Sequence, residues 1–348
     1  MKKFVCMLCL IFLLAGICAC ESDIGFTNSE DDSGSQDSQV NDFINNVNDN
    51  NYDNQTDNGD FTESVEVFLD TPIDPEDRFL LENNHIPVSK DDYYQYSFLN
   101  DYEKELYRRI RVAVLSYDRV IELKDLNFSY YKIQNVFECF IADNPQYFWL
   151  TSSFAVTSDG ALELIYTDGV TCDNGSVFAK NYKIDTQREL FNKAVYNIVS
   201  LIDPDASQYE KELAVHDCLI DLADYDYTAS ENFSFNGSMG VSYYSYGCIV
   251  EKEAVCSGYT KAFQYLCYLV GINSNVVYGD DHIWNTVKID DEWYQVDLTW
   301  NDTTKSGNNH KYFNLTSSQM YSAHPRTTDS YYNCIKIPEC SASVNSYH

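Results

Sequence analysis

From His282 to Trp300 the chain reads HIWNTVKIDDEWYQVDLTW. Residues alternate with a period of two on both sides of Asp290-Asp291. Ile283, Asn285, Val287 and Ile289 alternate with His282, Trp284, Thr286 and Lys288; Tyr294, Val296, Leu298 and Trp300 alternate with Trp293, Gln295, Asp297 and Thr299. Only extended strands put residues i and i+2 on one face, so the stretch predicts a β-hairpin with one apolar face. The other face carries His282 and Asp297. A two-residue turn at Asp290-Asp291 pairs Ile289 with Glu292 and His282 with Thr299. Asp297 is then diagonal to His282 on the same face, with β-carbons about 7 Å apart or less. A three-residue turn would send Asp297 to the opposite face.

Upstream lies AVCSGYTKAF, Ala254 to Phe263. Tyr259, Ala262, Phe263, Leu266, Leu269 and Val270 recur at helical spacing, and Gly271 closes the pattern. Cys256 falls in the first turn, where unpaired backbone amides and the positive dipole end stabilise a thiolate. Cys267 is on nearly the same face but about 16 Å along the axis by helical rise, too far to bridge to Cys256. NSNVVYG, 273–279, predicts a strand between this helix and the hairpin. A cysteine at a helix start with a His and an Asp on adjacent strands suits nucleophilic acyl transfer: thiolate attack, proton transfer by imidazole, and a carboxylate holding the imidazole tautomer. Cys256 paired to Cys248, Cys256 as core filler, and His282 with Asp297 as a purely structural pair remain open on the residues alone.

AVCSGYTKAFQYLCYLVGI, HIWNTVKIDDEWYQVDLTWND and the later YFNLTSSQM with AHP resemble the transglutaminase-like superfamily of papain-like thiol enzymes. The resemblance is to its exported bacterial members and kyphoscoliosis-peptidase type of domain, covers about 95–333, and is strongest over 250–302. YEKELAVHDCLIDLADYDY and DNPQYFWL resemble segments of the same members. The resemblance implies an α+β fold with a papain-like core, in which a catalytic helix packs on an antiparallel sheet. It implies Cys256 as nucleophile, His282 as general base and acid, and Asp297 as the orienting carboxylate. Ile283 departs from the small residue usual after the His, and Asp291 from the usual turn Gly. The implied activity is acyl transfer from peptide or side-chain amides, to water in a peptidase or amidase and to an amine in a transglutaminase. The oxyanion would meet the Cys256 backbone amide. No cofactor and no metal is expected. In GDDH, Asp280, Asp281 and His282 are consecutive, so their side chains diverge along a strand. Trp284 shares the face of His282 and is the weaker candidate for a substrate-adjacent residue, packing being the commoner use of Trp284, Trp293 and Trp300. A non-catalytic peptide- or glycan-binding module and a structural lipoprotein are the competing readings.

The rest of the chain sets context. Lys2 and Lys3 precede an apolar run from Phe4 to Ala19, the pattern of an export signal. It ends in ICAC, which resembles a bacterial lipobox and makes Cys20 the expected lipidation site. Residues 21–62 are mostly Asp, Asn, Ser, Gln and Gly, without Lys or Arg, and predict a disordered tether. Asp49, Asn51 and Asp53 only weakly suggest a calcium loop, since Asn54 stands where Gly is needed. The net charge of −31 argues against nucleic acid and against direct adhesion to an anionic membrane, leaving a lipid at Cys20 as the expected membrane partner, while the resemblance implies a peptide or protein substrate. Residues 63–185 read as a supporting α+β region with helices over 101–117 and 129–143 and strands over 146–156 and 161–167. Residues 186–335 read as the catalytic domain, with helices over 186–202 and 209–225 and a Tyr- and Gly-rich loop before Cys256; 336–348 read as a tail. His216, inside the second of these helices, reads as a satisfied structural histidine. Among the remaining cysteines, Cys334 with Cys340 is the most plausible local disulfide, and no CxxC suggests zinc.

Overall fold

The computed structural model describes residues 85–167, 182–236, 239–302, 309–324 and 334–347. The fold is α+β. Helix α1 (Asp101–Ser116) starts at a capping box in which Asn100 and Glu103 each accept the other's backbone N–H, and it stops at Tyr117 in the left-handed region. Its stripe Leu106, Tyr107, Ile110, Ala113 and Val114 is buried, and the helix packs on α2 (Tyr130–Asp143). A small antiparallel sheet, in the order β1 (Val120–Ile121), β3 (Leu162–Tyr166), β2 (Leu150–Val156), packs beside them. Helices α3 (Tyr182–Ser200) and α4 (Gln208–Leu222) follow.

Helix α4 ends at Leu222, short of the expected end at Tyr225. The stretch from there to Cys256, expected as a loop beyond Tyr225, is largely structured. It holds β4 (Asp224–Tyr225), α5 (Tyr227–Asn236), a π-helical turn Gly247–Glu251, and β5 (Glu253–Ala254), which pairs in parallel with β4. Its local composition carries no periodic stripe, so only tertiary contact reveals it. Gly247 is one such contact: a Cβ there would lie 2.5 Å from the Val241 carbonyl oxygen.

Helix α6 (Cys256–Leu269) is buried almost all round, as a central helix must be. It packs on α4 and on a second antiparallel sheet, β6 (Ser274–Tyr278), β7 (Ile283–Ile289) and β8 (Glu292–Val296). The hairpin has the two-residue turn: Asp290 and Asp291 are left-handed at φ 50° and 67°, and Ile289 opposes Glu292. The return strand is shorter than the alternation suggested. It ends at Val296, because Asp297 turns out as the N-cap of α7 (Leu298–Asn301), its Oδ1 accepting the Trp300 N–H at 3.1 Å. Both faces of β7 are covered, Trp284 and Thr286 being as buried as Val287. Part of that cover comes from α8 (Ser317–Ala323) and from Leu315, whose backbone bridges to Gln295.

One core runs from Tyr93 and α1 through α6 to Phe313, so helices on both sides of residue 185 share it. Gln95 stitches three segments, donating from Nε2 to Asn275 Oδ1 and the Lys336 carbonyl and accepting the Lys336 N–H. Asp143 accepts the Gln95 and Tyr96 N–H groups. Residues read above as a tail are tied in as well: Cys340 and Ser317 exchange hydrogen bonds, and Tyr347 stacks on His310 with ring centres 3.9 Å apart. Cys334 and Cys340 are not joined. Cys334 instead faces Glu138 and Cys139 on α2, while the Cys340 thiol points to the Pro338 carbonyl.

Candidate active site

Two hydrogen bonds decide where the start of α6 lies. Thr260 Oγ1 donates to the Ile283 carbonyl at 3.0 Å, and Asn285 Nδ2 donates to the Thr260 carbonyl at 3.1 Å. Cys256 is one turn before Thr260 on the same helix face, and His282 is the residue before Ile283. The lacing therefore sets the thiol on the imidazole side of the helix start, close enough for the Cys256 charge to act on His282. Cys256 is half-buried and borders an apolar wall of Cys139, Ala142, Val276, Ile283 and Ile335. The first of these residues lie on α2, so the N-terminal region forms part of the site.

A strap over 241–244 covers the other side of the helix start. Its Ser242 carbonyl accepts the Val255 N–H, and its Tyr243 carbonyl accepts from both Ser257 Oγ and Lys261 Nζ at 2.9 Å. Lys261 also lies over the Tyr244 ring. Burial pushes its ammonium down to about 8, with the charge of Cys256 opposing. Gly258 is required here, because a Cβ would stand 2.3 Å from the Ser242 oxygen. As first-turn residues, Cys256 and Ser257 have N–H groups without an intrahelical acceptor.

His282 Nε2 lies 2.7 Å from Asp297 Oδ2, leaving Nδ1 for the thiol. The diagonal placement follows from the two-residue turn, in which Asn285 opposes Val296. Burial disfavours a charged imidazole, yet the Asp297 charge, its hydrogen bond and Cys256 together hold His282 well above its ordinary value. Burial likewise acts to raise the Asp297 carboxyl, and the charge and hydrogen bond of His282, followed by those of His324, outweigh it and hold the group well below the usual carboxylate range. The structure thus brings Cys256, His282 and Asp297 together.

His324, which sequence reasoning gave no role, is the fourth member of this group. Its Nε2 lies 2.6 Å from the same Asp297 Oδ2. Trp284, for which packing is the favoured reading and a place beside substrate the weaker one, is only 1% exposed: it donates Nε1–H to Gln295 Oε1 at 2.6 Å and backs the His282 ring. Trp300, 37% exposed, is the aromatic side chain that flanks His282 toward solvent. His216 is buried and satisfied, Nδ1 facing Asp217 and Nε2 accepting from Asn301 Nδ2, whose Oδ1 takes the Tyr312 N–H. Cys20 and the 49–60 segment lie outside the described residues.

Two groups among the described residues offer three metal-ligating atoms each: His216, Asp217 and His310, and His282, Asp297 and His324. In both, each imidazole nitrogen lies 2.6–2.8 Å from one carboxylate oxygen. Tetrahedral zinc with bonds of about 2.0–2.1 Å would hold its ligands about 3.3 Å apart. Hydrogen bonds describe these contacts.

Residues 197–298 match the Transglutaminase-like superfamily. The chain carries a transglutaminase-like domain. The match covers α4, α6 and the hairpin, including Cys256, His282 and Asp297. A solved structure, the crystal structure of a TGase, is similar over 45% of this chain and 45% of its own length, at 16% identity and a TM-score of 0.29; the chain thus spans less than half of that protein. Comparison with curated proteins finds no match. A transglutaminase-like domain suggests a cysteine-dependent enzyme family, and the α+β architecture accords with a papain-like core.

Proposed function

We propose that this chain is a cysteine-dependent acyl-transfer enzyme acting on peptide or side-chain amide bonds. The observation that carries the reading is the file of groups from Cys256 through His282 to Asp297, with Nε2 held by the carboxylate and Nδ1 left for sulfur. The Cys256 thiolate attacks the amide carbonyl, forming a carbon–sulfur bond and a tetrahedral oxyanion that meets the N–H of the helix start. Collapse breaks the carbon–nitrogen bond, and the amine leaves with the proton held on His282. The neutral imidazole then takes a proton from water or from an acceptor amine, which attacks the thioester and frees the thiolate. Asp297 keeps Nε2 protonated throughout and stabilises the imidazolium.

The test pairs two assays on the purified protein and on Cys256→Ala. One follows release of ammonia from a glutamine-containing peptide or cleavage of peptide bonds; the other follows incorporation of a labelled primary amine. Turnover in either that vanishes in Cys256→Ala supports the reading and names the acceptor. Binding of peptide without turnover in both would replace it with a binding module.

The apolar N-terminal run and ICAC support export and lipid attachment at Cys20, which would hold the enzyme on the outer face of the cytoplasmic membrane against envelope proteins or peptides. No helix among the described residues is long and apolar enough to cross a membrane. Metabolic labelling with a fatty-acid probe should mark the protein and be lost in Cys20→Ala; persistence of the label would refute attachment there.

A further inference from the structure

Asp297 is shared. Its Oδ2 takes His282 Nε2 at 2.7 Å and His324 Nε2 at 2.6 Å, and its Oδ1 takes the Trp300 N–H. A carboxylate only accepts, so both imidazoles must carry hydrogen on Nε2 and point it at one oxygen. His324 is delivered for this contact by a chain of local features. The α8 capping box fixes the helix start, Met320 buries its middle, and the His324 N–H bonds back to the Met320 carbonyl at 2.9 Å. The ring is then boxed by Trp300, Trp284 and Tyr312, with centres 4.1, 5.1 and 5.2 Å away. Its remaining nitrogen, Nδ1, is buried without a partner among the described residues. A ring so placed cannot pass a proton onward; it can only donate one hydrogen bond.

We propose that His324 is a positioning residue of the candidate active site: its Nε2–H fixes the Asp297 carboxylate against His282 and so sets the tautomer and angle at which His282 presents Nδ1 to Cys256. This rests on the reading of Cys256 as the nucleophile. Without His324, Asp297 keeps the Trp300 N–H on one oxygen but loses half of the donors on the other. The carboxylate then turns about its terminal torsion, and the imidazolium loses the alignment that supports the thiolate.

The test measures the rate of Cys256 alkylation by iodoacetamide from pH 4.5 to 9, by peptide mapping, in wild type, His324→Phe and His324→Gln. The acid limb of this profile reports the Cys256–His282 pair as a unit. The ring of His324→Phe fills the box but donates nothing. Its limb should move up by about one pH unit, so that labelling well down the acid limb falls about tenfold while the rate at pH 9 is unchanged. His324→Gln, whose amide can still donate to Asp297, should recover most of the loss. A profile identical to wild type in a folded His324→Phe overturns the proposal while leaving the nucleophile reading intact. A wild-type Cys256 that shows no acid limb below that of an ordinary thiol overturns both. Should His324→Phe not fold, imidazole nitrogen NMR of the wild type decides: an Nε2–H tautomer at His324, assigned against His324→Gln, supports the role, and an Nδ1–H tautomer overturns it.

Discussion

Glu212 is a buried carboxyl on α4 whose Oε2 accepts from Asn314 Nδ2 at 2.8 Å, while Oε1 has no partner among the described residues. Burial pushes it from 4.5 up to about 8, the Asn314 hydrogen bond opposing. In the unfolded chain the group releases its proton near its ordinary value; in the folded chain it keeps the proton until about pH 8. The native state therefore binds more protons across that interval, and stability falls as pH rises through it. An interval of about 3.5 pH units, from 4.5 to 8, at about 1.36 kcal/mol per unit, gives about 4–5 kcal/mol lost once pH exceeds both values. Glu212→Gln keeps an acceptor for Asn314 and cannot ionise. Urea unfolding should place the variant within about 1 kcal/mol of wild type at pH 5 and make it more stable by about 3 kcal/mol or more at pH 8. Asp143, raised by burial to about 7, titrates equally in both proteins and cancels in the comparison. A wild-type-to-variant difference that is the same at both pH values would refute the reasoning.

Gly258→Ala should cost roughly 2–3 kcal/mol and slow alkylation of Cys256, since the new methyl group collides with the Ser242 carbonyl that holds the residue before the cysteine; denaturant midpoints and labelling rates check both, and an unchanged midpoint would mean that the strap yields freely. Asp291→Gly should stabilise by about 0.5 kcal/mol, because Gly relieves the left-handed turn position by more than its added chain entropy costs. The lost Lys288 pair is exposed and contributes little. A lower thermal midpoint would contradict this.

Legibility in the sequence followed the range of the forces involved. The hairpin was readable because a period of two meets a turn at two residues that tolerate the left-handed region, and that short-range geometry alone carries His282 toward Asp297. Helix α6 was readable from its apolar stripe and Gly271. The end of β8 was not, because Asp297 continues the alternation in one dimension while its side chain caps α7 in three. Nor was α5, whose residues carry no stripe. His324 lies 27 residues from Asp297, and nothing local to it reports the carboxylate it meets. Trp284 shows the limit of facing alone: it shares the side of His282, yet Gln295 and α8 close that side off and leave it packed, the commoner use of such a residue. The packing of residues 336–347 depends on Gln95, Ser317 and His310, all distant in sequence.

The central claim is that Cys256 is an activated nucleophile paired with His282. Iodoacetamide labelling at pH 6, mapped by peptide in wild type and in His282→Ala, tests it most directly. The account predicts that Cys256 labels ahead of the buried cysteines 139, 218, 248, 267 and 340, and that His282→Ala slows it at least tenfold with the fold intact. A Cys256 that stays unlabelled in the native protein, or labels equally fast without His282, would contradict it.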